Sequence, residues 1–231
     1  MSVQNLSRAV ASLILGLCLS GCATTKPFDY TNFRQSRPRS ILVLPPVSQS
    51  TDIRGTYGYL STVTQPLAEM GYYVFPVALV DQFLKENGLP GPGEMHQAPL
   101  NKYAEIFGTD SVMYITLLDY GAKYHLLNSA ATVQAKARLV DAKSGLLLWE
   151  GGAWAQQASG GNNGGLIGAL VQAAVTQIVS STSDAAHTIS MDANTMLFTG
   201  HGLPQWQAHA NGKGGPPLLY GPYRPEGEIA N

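Results

Sequence analysis

The most reactive side chains in the sequence are the thiols of Cys18 and Cys22, close to the amino terminus. A cysteine thiolate is a strong nucleophile, so a thiol at a defined position can accept a covalent group. An apolar run at 9–19 leads into the small residues Ser20 and Gly21, as in a secretory signal peptide and its cleavage site. Cleavage before Cys22 would remove Cys18 and leave Cys22 as the first residue, available for modification.

The four residues Leu19 to Cys22 resemble the lipobox of bacterial lipoproteins, in which the cysteine accepts a diacylglyceryl group. The alternative is an ordinary cleavage site with a cysteine present by chance. The preceding apolar run is shorter than the roughly 20 residues that a membrane-spanning helix needs, whereas two or more acyl chains hold a protein stably at a bilayer. We therefore expect a signal peptide at 1–21, cleavage between Gly21 and Cys22, and a palmitate-type lipid anchor on Cys22.

The residue after the anchor bears on the final location. The retention signal known for the inner membrane is Asp at this position, and Ala23 stands there instead. We therefore expect the outer membrane, with the protein on its periplasmic face. The sequence does not decide whether the protein is displayed at the cell surface.

Familiar catalytic motifs are missing from the sequence. It contains no His-Glu-x-x-His zinc motif and no Gly-x-Ser-x-Gly nucleophile elbow, and the glycine-rich segment 160–165 lacks the Lys-Ser/Thr of a P-loop. His201, His209 and Asp192 lack the compact spacing of a metal site. We expect no enzymatic activity, cofactor or metal. A formal net charge of −1 without a basic stripe argues against nucleic acid as a partner.

The chain divides by composition into four segments. After the signal peptide, residues 22–40 are polar and basic with little that could form a core, so they are predicted to be a tether. Residues 41–199 carry the apolar periodicity of one α+β domain. Residues 200–231 are rich in Gly and Pro and are predicted to extend over the surface.

The domain begins with a predicted βαβ unit. Ile41 to Leu44 is an aliphatic run typical of a strand buried on both faces. Apolar residues at helical spacing then run from Leu60 to Met70, Gly71 ends the helix, and Tyr72 to Pro76 is a second strand. The two strands should be parallel.

Further elements follow along the chain. Helices are predicted at Val77–Glu86, around Leu100–Phe107 with Gly108 as cap, and from about Leu166 to Ala186, with a loop at 89–93. Residues 112–118 and 132–140 should be antiparallel strands with one wet face. In the hairpin 139–150, Asp141 accepts bonds from the turn and Gly145 supplies a positive φ. The expected fold is a mixed sheet of about five strands flanked by helices.

Several of these features together resemble the genome-derived neisserial antigen lipoproteins, also catalogued as domain of unknown function seven-nine-nine. The features are the lipobox, the strand at 41–46, the hairpin at 140–149, the glycine-rich approach to the last helix and the ending 218–223. The resemblance implies a fold similar to the amino-terminal domain of TolB and to the periplasmic part of CsgG. It also implies a CsgG-like lipoprotein as partner. The membrane hairpins with which CsgG builds its pore are not recognisable here, which argues against a channel of its own.

The sequence thus predicts a lipoprotein that acts through protein contact in envelope assembly or secretion. The candidate interface is Trp206, Tyr220 and Tyr223, because an extended Pro-rich tail with aromatic residues loses little entropy on docking. This holds only if the tail does not pack on its own domain. The alternative is a small-molecule or glycan-binding lipoprotein, which needs a deep apolar pocket with a few convergent polar groups.

Overall fold

The structure, a computed structural model, describes residues 28–124, 129–159, 185–200 and 216–224. The helices in these residues are α1 (Thr31–Ser36), α2 (Gly55–Glu69), α3 (Val77–Glu86), α4 (Pro92–Gln97), α5 (Leu100–Phe107) and α6 (Ala185–Thr199). The strands are β1 (Ser40–Val43), β2 (Val47–Ser48), β3 (Tyr73–Val74), β4 (Ser111–Tyr124), β5 (Ser129–Asp141) and β6 (Leu147–Ser159).

The strands form one open mixed sheet in the order β3-β1-β4-β5-β6, with β2 paired to β4. Strand β1 is parallel to both β3 and β4, whereas β4, β5 and β6 are antiparallel neighbours. The predicted α+β fold, with a mixed sheet flanked by helices, is confirmed. Within the described residues, β3 and β6 are the two edges of the sheet.

The short strand β1 explains why its sequence is aliphatic without a break. Ile41 and Val43 join the core on one face of the sheet, which α2 and α6 cover. Leu42 and Leu44 join a second core on the opposite face, which α3, α4 and α5 cover. Successive side chains of a strand point to opposite faces, so a strand between two helical layers needs an apolar residue at every position.

The predicted βαβ unit is confirmed, because β1, α2 and β3 follow one another and the two strands pair in parallel. Two boundaries differ from the prediction. Helix α2 starts at Gly55, before the first apolar residue of its periodic pattern. Strand β3 has two residues, and Gly71 before it has a φ of 88°.

The predicted hairpin between β5 and β6 is also confirmed. One carboxylate oxygen of Asp141 accepts hydrogen bonds from the backbone N–H groups of Lys143 (3.1 Å) and Ser144 (2.8 Å). Gly145 has a φ of 72°, which a residue with a Cβ adopts only with strain. The acid therefore has the structural role that the sequence indicated.

The two faces of the sheet are covered to different extents. The helices between β3 and β4 pack on β1 and the first part of β4. On the same face of β5 and β6, the side chains of Lys136, Arg138 and Glu150 are exposed. No described helix packs over this half of the sheet, here called the uncovered half, and it forms the floor of the groove described below.

The predicted tether overlaps the folded domain, so the boundary at residue 40 is wrong. Residues 28–40 belong to the domain: α1 buries Phe33, which is 5% exposed, and the Asn32 side-chain amide donates to the carbonyl of Leu147 at 3.1 Å. One aromatic residue in a polar segment gives little periodic signal, which is why composition alone missed this contact.

Two further expectations differ from the structure. Pro92 and Gly93, predicted to lie in a loop, begin α4, since proline is tolerated in the first turn of a helix. The helix predicted from Leu166 to Ala186 lies outside the described residues except for its last two positions, where α6 begins. No helix within the described ranges has both the length and the apolar character that crossing a bilayer requires.

Candidate functional site

The predicted site residues lie in different parts of the molecule. Gly21, Cys22 and Trp206 lie outside the described residues. Tyr220 and Tyr223 lie in the segment 216–224, and their side chains are 55% and 62% exposed. Two of the three aromatic residues of the predicted interface are therefore described, and both are exposed.

The segment 216–224 packs on its own domain. Leu218 is 2% exposed, and its N–H donates to the carbonyl of Phe198 at 2.7 Å. Further along, the N–H groups of Gly221 and Tyr223 donate to Met70 (2.9 Å) and Gly71 (3.0 Å). The tail was predicted to be an interface only if it does not pack on its own domain. Residues 216–224 do not meet this condition, because a docked segment has already lost its chain entropy.

A groove lies on the uncovered half of the sheet. It has a volume of about 560 Å³, within the range of natural ligand sites. Its polar lining comes from α4 and from β4, β5 and β6, and consists of His96, Tyr114, Thr116, Lys136, Arg138 and Glu150. Pro216, from the docked segment, lies at its border.

Strand register explains why these side chains meet. Arg138 of β5 is directly opposite Tyr114 of β4 on one side and Glu150 of β6 on the other. Lys136, two residues before Arg138, is opposite Thr116 and Gly152. Residues directly opposite on neighbouring strands share a face, so two cross-strand rows line the groove.

The aromatic and basic side chains of the groove contact one another. The guanidinium carbon of Arg138 lies 4.8 Å from the centroid of the Tyr114 ring, and the His96 ring packs edge-on against Tyr114 at 5.3 Å. The Nε2–H of His96 donates to the carbonyl of Pro45 at 3.0 Å. Burial lowers the pKa of His96, and the charge of Arg138 lowers it further, against the opposing effect of this hydrogen bond.

A second surface feature is an exposed aromatic cluster at the β3 edge, here called the edge patch. Its rings form a chain in which Tyr73 contacts Phe75 (5.1 Å between centroids), Phe75 contacts Phe107 (6.0 Å) and Phe107 contacts Phe83 (5.3 Å). Leu79 is one helical turn before Phe83 and is 65% exposed. Tyr73 and Phe83 are 54% and 38% exposed.

A serine and a histidine also lie close together, between α2 and α6. The Ser61 hydroxyl oxygen is 3.4 Å from Nδ1 of His187. However, this Nδ1 donates to the carbonyl of Gly58 at 3.1 Å, and the Ser61 hydroxyl donates to the same carbonyl at 2.8 Å. A general base must present a lone pair to the hydroxyl, so this geometry does not activate Ser61.

Potential metal ligands do not gather in the described part of the chain, where no group of three or more His, Cys, Asp or Glu side chains could hold an ion. His201 and His209, considered with Asp192 from the sequence, lie outside this part.

Sequence reasoning did not single out the groove or the edge patch. The alternation along β5 showed that one face is wet, and Lys136 and Arg138 are on that face, but alternation does not tell which wet residues border a cavity. On α3, Leu79 and Phe83 widen the apolar stripe beyond the buried Val80 and Leu84. That excess of apolar surface was the available signal.

Comparison with a family model and with a related sequence finds the same lipoprotein family in both cases. The model of the family described as "Putative lipoprotein GNA1162-like" matches residues 28–205. A relative from Neisseria meningitidis serogroup B, "Putative lipoprotein NMB1124/NMB1162", is 47% identical over 193 residues, which are 81% of this chain and 90% of the relative.

Solved structures include the lipoprotein GNA1162 from Neisseria meningitidis. It is 47% identical with a TM-score of 0.51, and the match covers 62% of this chain and 99% of that one. The PelC dodecamer from Paraburkholderia phytofirmans is 11% identical with a TM-score of 0.39, over 76% of this chain and 95% of that one.

Proposed function

The chain belongs to the GNA1162-like lipoprotein family, and from this premise we propose that it is a non-enzymatic accessory subunit of the cell envelope. A lipoprotein is attached to a membrane by its acyl chains. In this proposal the chains are carried by Cys22, and the domain lies on the periplasmic face of the outer membrane. The protein acts there through contact with another protein in envelope assembly or secretion.

The observation that carries the proposal is the edge patch. Scattered apolar side chains on a surface are normal, but a contiguous exposed cluster marks a contact surface. Phe75 and Phe107 of the patch also pack on the inner core, so the patch is anchored and rigid. Rigid aromatic groups are enriched in protein interfaces because their burial costs little conformational entropy.

The partner in this proposal is a CsgG-like lipoprotein, as the resemblance of the sequence implies. The alternative, a small-molecule or glycan-binding lipoprotein, has weaker support. It needs a deep apolar pocket, whereas the groove is open and walled by charged side chains. A hydrolase has less support still, because the Ser61 hydroxyl faces a histidine nitrogen that already carries a proton.

Co-purification tests the proposal. The full-length chain is expressed together with the CsgG-like lipoprotein of the same genome, extracted from membranes in mild detergent and recovered by an affinity tag. We expect the partner to be recovered with the unaltered chain. Phe83→Glu and Leu79→Glu should each reduce recovery at least about tenfold, because an unpaired charge in an apolar interface is costly to desolvate.

The matched control is Ala78→Glu, which introduces the same charge at an exposed position of the same helix. It should leave recovery unchanged. All variants are compared at equal amounts of folded, membrane-bound protein. Absence of the partner with the unaltered chain would contradict the proposal, and so would undiminished recovery with Phe83→Glu.

A further inference from the structure

The groove over β4, β5 and β6 contains two cations that lack a carboxylate partner in the described residues. The described residues form four ion pairs, all outside the groove, and neither Lys136 nor Arg138 takes part in any of them. Glu150 is opposite Arg138 in the strand register but forms no ion pair with it. Two neighbouring cations on one face of a strand repel each other, so an anion bound between them is stabilised by both.

Arg138 is held in a position suited to binding a carboxylate. Its guanidinium carbon lies over the ring of Tyr114, 4.8 Å from the centroid, and Tyr114 is 8% exposed and packed against His96. A guanidinium held over an aromatic ring still presents N–H groups along its edge for a bidentate bond. An ordered guanidinium loses less entropy on binding than a freely moving one.

The groove is open and is lined by three neighbouring strands, so it can admit an extended chain. Lys136 lies between Thr116 of β4 and Gly152 of β6 in the strand register, and the missing side chain at position 152 leaves the floor of the groove open beside Lys136. Sugars bind by stacking on free aromatic faces, but Arg138 already covers the Tyr114 ring. The chemistry of the groove therefore favours an acidic peptide over a neutral glycan.

We propose that this groove binds a carboxylate-bearing, extended segment of a partner protein, with one acidic side chain of that segment between Lys136 and Arg138. Glu150, at the β6 side, repels a second acid there and so directs the segment. This inference rests on the proposed role in protein contact. It adds a second, electrostatic contact surface, since the edge patch is at the β3 end of the same sheet.

A binding assay with defined probes tests the site. The full chain in detergent is titrated against a fluorescein-labelled peptide of alternating glutamate and serine, and anisotropy is measured. The same peptide with glutamine in place of glutamate, citrate, and polygalacturonate are the comparison probes. We expect saturable binding of the glutamate peptide that weakens with added salt, and no saturable binding of the glutamine peptide.

Substitutions locate the binding. Lys136→Gln and Arg138→Gln should each weaken the glutamate peptide about tenfold or more, since a charge-assisted hydrogen bond is lost. Glu150→Gln should strengthen binding, because a repelling charge is removed. Lys143→Gln is the matched control, an exposed lysine in the β5–β6 turn outside the groove, and should change affinity less than twofold. A cooperative unfolding transition in each variant establishes that all variants are folded.

Three results would overturn the inference: no saturable binding of the glutamate peptide, binding equal in Arg138→Gln and the unaltered chain, or preference for citrate or polygalacturonate over the peptide.

Failure of the groove assignment can be separated from failure of the proposed function. If the Lys136→Gln, Arg138→Gln double variant recovers the CsgG-like partner normally while Phe83→Glu does not, the groove assignment is wrong and the proposed function stands. Peptide binding with no partner recovered supports the groove and contradicts that partner.

Discussion

At the scale of single residues, two adjacent glycines of β6 have opposite surroundings. A Cβ added to Gly151 would lie 2.4 Å from the ring of Trp149, a separation that real atoms do not reach. A Cβ added to Gly152 would meet its nearest neighbour, the carbonyl of Ala135, at 3.6 Å, an ordinary contact. Trp149 is fully buried and donates from Nε1 to the carbonyl of Pro216 at 2.7 Å, so its ring cannot simply move aside.

We predict that Gly151→Ala lowers the free energy of unfolding by about 1 to 3 kcal/mol, the usual cost of an overpacked core. Gly152→Ala should change it by less than about 0.5 kcal/mol. Both substitutions remove the same backbone freedom of glycine, so their difference isolates the contact with Trp149. Urea denaturation measures both, and equal effects would show that the tryptophan ring adapts.

His96 should make stability depend on pH. Its pKa in the folded protein is lowered from 6.5 by burial first and by the charge of Arg138. Between the lowered value and 6.5 the unfolded chain binds more protons than the folded one, so stability rises with pH. The stabilisation is present above the ordinary pKa and is lost as the pH falls through 6.5 towards the folded value.

We predict that the thermal midpoint of the unaltered chain falls when the pH is lowered from about 7.5 to about 5.5, and that it falls less for His96→Gln. Arg138→Gln should also reduce the fall, because it removes the nearby positive charge. An equal fall in all three proteins would mean that His96 titrates normally in the folded state.

At the scale of elements, the docked segment 216–224 closes one end of the core between α2 and α6. Its backbone bonds join it to the end of α6 and to the turn before β3. A Cβ added to Gly221 would lie 2.3 Å from the carbonyl oxygen of Gly71, so only glycine permits this close approach. The segment therefore has a structural role in addition to exposing Tyr220 and Tyr223.

We predict that Leu218→Ala lowers the free energy of unfolding by about 2 to 4 kcal/mol, because it removes a fully buried side chain and leaves a cavity. Tyr223→Ala, in the same segment but with an exposed ring, should cost less than about 1 kcal/mol. Denaturation curves measured side by side check the pair. A negligible effect of Leu218→Ala would contradict the docking of this segment.

At the scale of the whole molecule, the proposed function requires a lipid anchor in addition to the folded domain. We predict that Cys22→Ser abolishes incorporation of radiolabelled palmitate and moves the protein from the membrane fraction to the soluble fraction. Cys18→Ser is the matched control, since the proposed cleavage before Cys22 would remove this cysteine, and should change neither result. A palmitate label and a membrane location that both survive Cys22→Ser would contradict the anchor.

Most of the fold could be predicted from the sequence, because its signals are local. The unbroken aliphatic run of β1, the helical spacing before Gly71 and the alternation along β5 each follow from which faces of one element are buried. The turn chemistry of Asp141 and Gly145 is likewise contained within a few residues. The same local logic predicts an anchor at Cys22.

Other features depend on contacts between residues far apart in the chain, and only the tertiary structure decided them. The docking of Phe33 and Leu218 needs apolar surfaces that exist only after the sheet and α6 have assembled. The groove exists because the helices after β3 cover one half of a sheet face and leave the other half open, a matter of topology rather than periodicity. Likewise, Leu79 and Phe83 become a patch only when α3 packs beside Phe107. Local patterns specify which side of an element is apolar, but the assembled fold determines which apolar and charged sides stay uncovered.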